Sequence, residues 1–335
     1  RRDGGSDRVR RGVRTVRVCI FGAGAMGTSL GAALTKAGIS VELVSRNAAH
    51  VEALRTRGAV LTGSVSMTVP VTAMLPEEMA GKYDIIFLAI RQRGNREAAQ
   101  GLLPFLKEDG ALVSVQNGLP ERALSEVFGA DRVYGCALSW GAERIAPGEI
   151  QMTGGSFSFS LGAFGAGNKL QEIAALLKRA GSVTVGELRE LRYAKLAVNA
   201  AFSTLSVLSG LTFGELASRH KKLALGLMRE VFCVARAAGC KKLPLSGHDL
   251  FRVFSGPWAG LLLPVAMKPY KNTRSGMLKD LEAGRRTDVD FVAGAAVDEG
   301  GRLGVETPLL ESAVSLVHDI ENGLAEIAPE TLQLL

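Results

Sequence analysis

Cysteine, histidine and aromatic side chains are scarce in this chain. Four cysteines, four histidines and a 6% aromatic share among 335 residues leave little material for cross-links, metal cages or base-stacking platforms. The cysteines (Cys19, Cys136, Cys233, Cys240) form no C-x-x-C pair, and the histidines (His50, His220, His248, His318) are as dispersed. Neither set has the spacing of a zinc site or a disulfide framework, so a reducing compartment and metal-free chemistry are expected. Long apolar runs are missing too. The densest, WAGLLLPVAM at 258–267, is well short of the roughly 18 residues that span a bilayer, and neither a transmembrane helix nor a membrane partner is expected. The net charge of +7 is concentrated at one end: residues 1–17 carry seven Arg against two Asp, leaving only +2 for the remainder. No basic face interleaved with aromatics is evident, which argues against nucleic acid as a partner. Residues 1–15 read as a disordered Arg-rich leader. The same composition suits an organelle-targeting segment, so cytoplasmic residence is the default expectation with targeting left open.

What is abundant is apolar surface. At 47% hydrophobic and 22% charged over 335 residues, the chain is a globular protein long enough for two cores. Short β-branched runs alternate with helical patterns: VRVCIF (16–21), VELVS (41–45), DIIFLAI (84–90), ALVSV (111–115) and RVYGCALS (132–139). Strands fed by helices in this way build right-handed βαβ units and a parallel sheet. GEIQM and SFSFSLG (156–162) follow and suggest an antiparallel extension. From Glu187 onward the periods are helical and strand signals vanish. The expected architecture is α/β: a Rossmann-like doubly wound domain over 16–187, then an all-helical substrate domain over 188–335. The two should pack closely, since no low-complexity linker separates them. No stripe in the helical part distinguishes a homodimer face from the core.

Directly after the first strand comes GAGAMG: Gly22, Ala23, Gly24, Ala25, Met26, Gly27. In such a turn Gly22 permits the tight bend, Gly24 lets the backbone approach a pyrophosphate, and Gly27 lets helix and strand pack closely. The helix start then offers free N–H groups and partial positive charge to phosphates. The second strand ends in Ser45 and Arg46, with Glu42 too early to reach a ribose, and Arg91 follows DIIFLAI. Arginines there suit a 2'-phosphate and hence NADP(H); the alternative is two solvated surface cations. Asn117, in SVQNGLP, sits at the carboxyl edge of the sheet and reads equally as a turn residue or a nicotinamide contact. Lys195 and Asn199 lie one helical turn apart in the apolar run RYAKLAVNAAFSTLSVLSG (192–210), hence on one helix face. A lysine in that company is either a buried functional ammonium or a chain snorkelling from the helix end.

From residue 16 to about 321 the chain resembles the ketopantoate reductase (2-dehydropantoate 2-reductase) family. The resemblance rests on GAGAMG, Arg46, Arg91, QNG (116–118), GAERIAPGEI (141–150), the K-x-x-x-N of Lys195 and Asn199, and SGMLKDLEAGRRTDVDFVAG (275–294). It implies reduction of an α-keto acid by NADPH. It assigns proton donation to Lys195, substrate hydrogen bonding to Asn199, and a catalytic or orienting carboxylate to Asp288. It adds Asn117, Ser203 and Ser275 to the substrate contacts and Ala142 to the cofactor contacts. Several positions depart from the family pattern: Ser203 replaces a second asparagine, Phe213 opens the N-G-E-L motif, Gly276 replaces the second serine of S-S-M-L, Asp288 replaces a glutamate, and Ala293 replaces an asparagine. Each swap removes or shortens a hydrogen-bonding group. Besides ketopantoate, the sequence therefore leaves room for a bulkier or more apolar 2-keto acid. A dinucleotide-binding sensor without turnover is the alternative from another class.

Overall fold

The structure is a computed structural model that describes residues 16–153 and 156–335; the leader expected at 1–15 lies outside the described residues. Strands β1 (Val18–Phe21), β2 (Val41–Val44), β3 (Ala59–Gly63), β4 (Met67–Val69), β5 (Thr72–Met74), β6 (Tyr83–Leu88), β7 (Leu106–Ser114) and β8 (Val133–Leu138) are followed by β9 (Ala142–Ala146), β10 (Glu149–Met152), β11 (Ser158–Ala163) and β12 (Ser182–Val185). Eight of them form one sheet in the order β12-β11-β8-β7-β6-β1-β2-β5. Pairing is parallel except between β11 and β8. Helices α1 (Ala25–Lys36), α2 (Ala48–Arg57), α3 (Asn95–Leu102), α4 (Glu121–Phe128) and α5 (Leu170–Lys178) cover it.

Burial on both faces explains the near-continuous apolar strands. In β6, Ile85 and Phe87 join the core on one side while Ile86 and Leu88 join the core on the other. The five strand runs read from the sequence all appear, with shifted ends. The expected antiparallel extension is only half present. β11 joins the main sheet, but the GEIQM strand, β10, pairs instead with β3 and β9 in a second sheet ordered β4-β3-β10-β9. The sequence reading passed over β3, β4 and β5, which are three to five residues long and mix polar and apolar positions. The second sheet is tied down by His50 of α2. Its Nδ1 accepts from the Gly148 N–H at 2.9 Å, so Nε2 carries the proton and donates to Thr28 Oγ1 of α1 at 3.0 Å.

Beyond residue 187 the chain is helical: α6 (Leu188–Ser209), α7 (Phe213–Arg219), α8 (Lys221–Ala237), α9 (Leu250–Phe254), α10 (Ala259–Ala266), α11 (Gly276–Glu282), α12 (Ala293–Leu303) and α13 (Pro308–Glu321). The expected absence of strands here needs one correction. Pro244–Leu245 and His248–Asp249 pair as a minimal hairpin, closed by a turn in which Ser246 and Gly247 both have positive φ. The 22-residue α6 is the axis. One face packs into the helical core through Phe202, Leu205 and Leu208. Its N-terminal turns lie against β8 and β11 of the sheet, which places Lys195 at the seam between the two parts. α10 buries Ala259 and Leu263 but exposes Leu261 and Val265, and Trp258 just before it is exposed too, a division invisible in its uniformly apolar sequence.

Candidate active site

The glycine-rich turn has the form its sequence implies. Gly22 adopts φ +105°, and a Cβ there would lie 2.7 Å from the Ala89 carbonyl carbon; a Cβ on Gly27 would lie 2.3 Å from the Gly22 oxygen. Gly24 has open space where its Cβ would stand, as a backbone approached by a ligand requires. The N–H groups of Gly22 and Ala23 donate to the Val44 carbonyl at 2.9 and 2.8 Å, which locks the turn to β2. Gly24 caps α1 with no side-chain hydrogen bond, so the first N–H groups of that helix point outward unsatisfied. These features fit the diphosphate of a dinucleotide.

At the end of β2, Arg46 is exposed and makes no hydrogen bond or ion pair among the described residues. Glu42, the nearby acid, is committed elsewhere. It receives Arg17 at 2.9 Å and the Tyr83 hydroxyl at 2.6 Å, and so cannot hold a ribose.

Between the sheet and the helical part lies a cavity of about 290 Å³. Met26 reaches it from α1, Ile90 and Arg91 from the loop after β6, and Asn117 from the loop after β7. Leu138 and Trp140 line it beside β8, and Lys195 and Asp288 enter from the helical side. Lys195 is half-buried and faces this cavity from α6. Its Nζ donates to the Leu138 carbonyl at 2.9 Å. Burial, with a smaller push from the neighbouring Arg192 charge, lowers its pKa from 10.5 to about 8.

Asp288 Oδ2 accepts from Arg91 Nη1 at 3.1 Å across the cavity. Its carboxyl is raised above the usual range chiefly by burial; Arg91 opposes this and Asp280 adds to it. Arg91 Nη2 also donates to the buried Asp280. Asn117 exposes its side chain to the cavity while Gly118, at φ +78°, makes the turn with no room for a Cβ against the Phe291 oxygen. The turn reading of that dipeptide is the one the backbone displays.

Of the residues singled out from sequence, the structure gathers Met26, Arg91, Asn117, Lys195 and Asp288 around one space. Asn199 and Ser203 follow along α6, half-buried and outside that wall. Ser275 is 2% exposed and caps α11, accepting from the Met277 N–H at 3.1 Å. Ala142 begins β9 and packs on the sheet core. Arg192 was missed. It is buried three residues before Lys195, pairs with Glu121 of α4, and donates to the carbonyls of Ser114 and Gln116 at 2.9 and 2.7 Å. It thereby fixes the strand end that carries Asn117. Gln116 was quoted only as part of a motif, yet its side chain bridges Ile90 and Asn95. The partners of both are remote in sequence, and only the spacing of Arg192 ahead of Lys195 offered a hint. Among the described residues no single helix is long and apolar enough to cross a membrane. No group of three or more His, Cys, Asp or Glu side chains there is arranged to hold a metal ion.

Comparison with known proteins agrees with this layout. Two family models match, ketopantoate reductase PanE/ApbA over residues 18–166 and its C-terminal counterpart over 187–321. The 2-dehydropantoate 2-reductase of Archaeoglobus fulgidus is 27% identical over 318 residues, covering 93% of this chain and all of that one. That of Pyrococcus abyssi is 28% identical over 300 residues, covering 88% and 94%. Among solved structures, 2-dehydropantoate 2-reductase from Geobacter metallireducens superposes with a TM-score of 0.79 at 26% identity, covering 91% and 99%. A D-mandelate dehydrogenase solved with NADH and anilino(oxo)acetate reaches the same TM-score at 22% identity over 92% and 99%, which speaks for the fold. With both halves matched in order, and with Met26 of the GAGAMG run and Lys195 lining one cavity, the chain belongs to the ketopantoate reductase PanE/ApbA family of oxidoreductases.

Proposed function

We propose that the protein reduces a 2-keto acid with NADPH, ketopantoate being the first substrate to test. The observation that carries the proposal is the half-buried Lys195 ammonium in a cavity that Met26 of the GAGAMG run also lines. Residues 16–187 serve as the dinucleotide-binding domain and 188–335 as the substrate domain. Gly22 to Gly27 hold the diphosphate, Asn117 and Ala142 border the cofactor, and Arg46 and Arg91 favour a 2'-phosphate.

The bound cofactor supplies a hydride. Reduction turns a neutral carbonyl oxygen into an alkoxide, so a fixed ammonium beside that oxygen stabilises charge that grows toward the transition state. With its pKa near 8, Lys195 is mostly protonated at neutral pH yet releases its proton readily, which suits a general acid. Asn199 and Ser203, next along the same helix, hydrogen-bond the substrate in this reading. Asp288 orients the substrate from the opposite side, held by Arg91. Ser275 supports the loop from its capping position.

A second reading, a bulkier apolar 2-keto acid, is favoured by the cavity wall, where eight apolar or aromatic residues, Trp140, Leu138, Val115 and Phe291 among them, stand against six polar or charged ones. The ratio of kcat/KM for ketopantoate, 2-ketoisovalerate and phenylglyoxylate separates the two, followed by absorbance with NADPH and NADH in parallel. Arg46→Ala should erase most of any preference for NADPH; an unchanged preference would move the 2'-phosphate to Arg91. NADPH binding without consumption across the panel would refute reductase activity in favour of a sensor.

A further inference from the structure

Beside the catalytic cavity, and sharing Arg91 and Asp288 with it, lies a second cavity of about 320 Å³ lined by Arg91, Arg93, Arg285, Arg286 and Asp288. We propose that this four-arginine cavity is a binding site for a phosphate-class dianion, gripped from both halves of the molecule. Arg91 and Arg93 come from the loop after β6, whereas Arg285 and Arg286 come from the turn after α11.

The charges do not balance internally. Asp280 is shared between Arg91 and Arg285, accepting from Arg285 at 2.7 and 3.0 Å. Asp288 takes the other end of Arg91. Arg93 donates to the Thr287 carbonyl at 3.2 Å and makes no ion pair within contact distance among the described residues, though its charge reaches Asp288, and Arg286 makes no hydrogen bond or ion pair there. Four guanidinium groups thus face two carboxylates. Gathering like charges is unfavourable unless an anion enters between them, and the surplus of two matches the charge of a phosphate monoester near neutral pH. Guanidinium forks also match the geometry of phosphate oxygens.

The site is held rather than loose. Thr287, between Arg286 and Asp288, is buried, and its N–H and hydroxyl both donate to Glu321 at 2.7 Å. The backbone carrying Arg286 is therefore anchored to α13.

Two sources supply such a group. One is the 2'-phosphate of NADPH, which rests on the reductase reading and requires the adenosine end to lie toward Arg91 rather than Arg46. The other is a separate phosphorylated molecule, for which inorganic phosphate is the probe.

The test compares the wild-type chain with Arg286→Ala and Arg286→Glu by calorimetric titration of NADPH, NADH and inorganic phosphate. Arg286 has no partner to lose, so these variants should fold, and a melting curve checks it. Arg286→Ala should weaken the phosphate-bearing ligand about five- to tenfold, in line with one partly exposed charged contact, and Arg286→Glu should weaken it further. Loss confined to NADPH, with NADH unchanged, assigns the site to the dinucleotide. Loss confined to inorganic phosphate assigns it to a second ligand. If all three probes bind both variants within twofold of wild type, the site does not exist. Failure of the reductase reading would look different: the wild-type chain would bind neither nucleotide, and the phosphate titration would still decide the present proposal.

Discussion

Replacing Lys195 by methionine should make the protein more stable at pH 7 and nearly inactive. Burial holds the ammonium pKa at about 8 against 10.5 in the unfolded chain. The sign follows from which state binds the proton. Above pH 10.5 both states are neutral and folding loses nothing; as pH falls toward 8 only the unfolded chain is protonated, and stability declines. Below 8 the full penalty is in force. At about 1.4 kcal/mol per pKa unit, it is about 3 kcal/mol. Methionine fills a similar volume without charge but forfeits the hydrogen bond to the Leu138 carbonyl, worth about 1 kcal/mol. The variant should therefore gain about 2 kcal/mol at pH 7 and lose about 1 kcal/mol above pH 10.5, read from denaturant midpoints at the two pH values. Keto-acid reduction should fall by a factor of about 10² to 10⁴. The wild-type kcat/KM for reduction should itself decline as pH rises through about 8. A methionine variant that is less stable at neutral pH than at pH 10.5, relative to wild type, or one with near-normal turnover, would refute the account of Lys195 as a strained buried acid.

Three other perturbations follow from the geometry. Glu121→Gln leaves the Arg192 charge buried without its counterion and should cost about 3 kcal/mol in chemical denaturation, with most of it restored by pairing Arg192→Met with Glu121→Leu; a cost below 1 kcal/mol would mean that the pair is dispensable. Gly24→Ala meets nothing within 4 Å and should keep its melting temperature while weakening dinucleotide affinity. Gly22→Ala combines φ +105° with a 2.7 Å approach to Ala89 and should lose about 1 to 3 kcal/mol of stability as well; equal melting temperatures for the two variants would contradict this division. His50 is buried and neutral, its pKa lowered from 6.5 to about 4 mainly by burial. Its contribution is complete above pH 6.5 and lost as pH falls through 4, so wild type should lose up to about 3 kcal/mol more than His50→Gln between pH 7 and 4. Parallel pH–stability curves would remove His50 from that role.

The α/β order, the glycine-rich turn, the long helix carrying Lys195 and Asn199, and the change to helical periods after Glu187 were all determined by sequence alone. Each is a local property: a period of two or near four, or a turn that only glycine can make within a few residues. What the tertiary structure decided is which charges meet. Arg192 finds Glu121 71 positions away, and Arg91 reaches Asp280 and Asp288 across 189 and 197 positions. Residues that looked alike in sequence also separated. Arg46 stayed exposed while Arg91 became a bridge between the two parts, and Ser275 turned inward as a helix cap while Ser203 stayed half-buried on α6. Short strands β3 to β5 and the hairpin at 244–249 escaped notice because their pairing partners, rather than their own patterns, make them strands. Local pattern fixes an element because backbone hydrogen bonds and side-chain alternation act over a few residues. The partial burial of Lys195, and with it the lowered pKa on which the proposed chemistry rests, depends on two remote parts of the chain excluding water together.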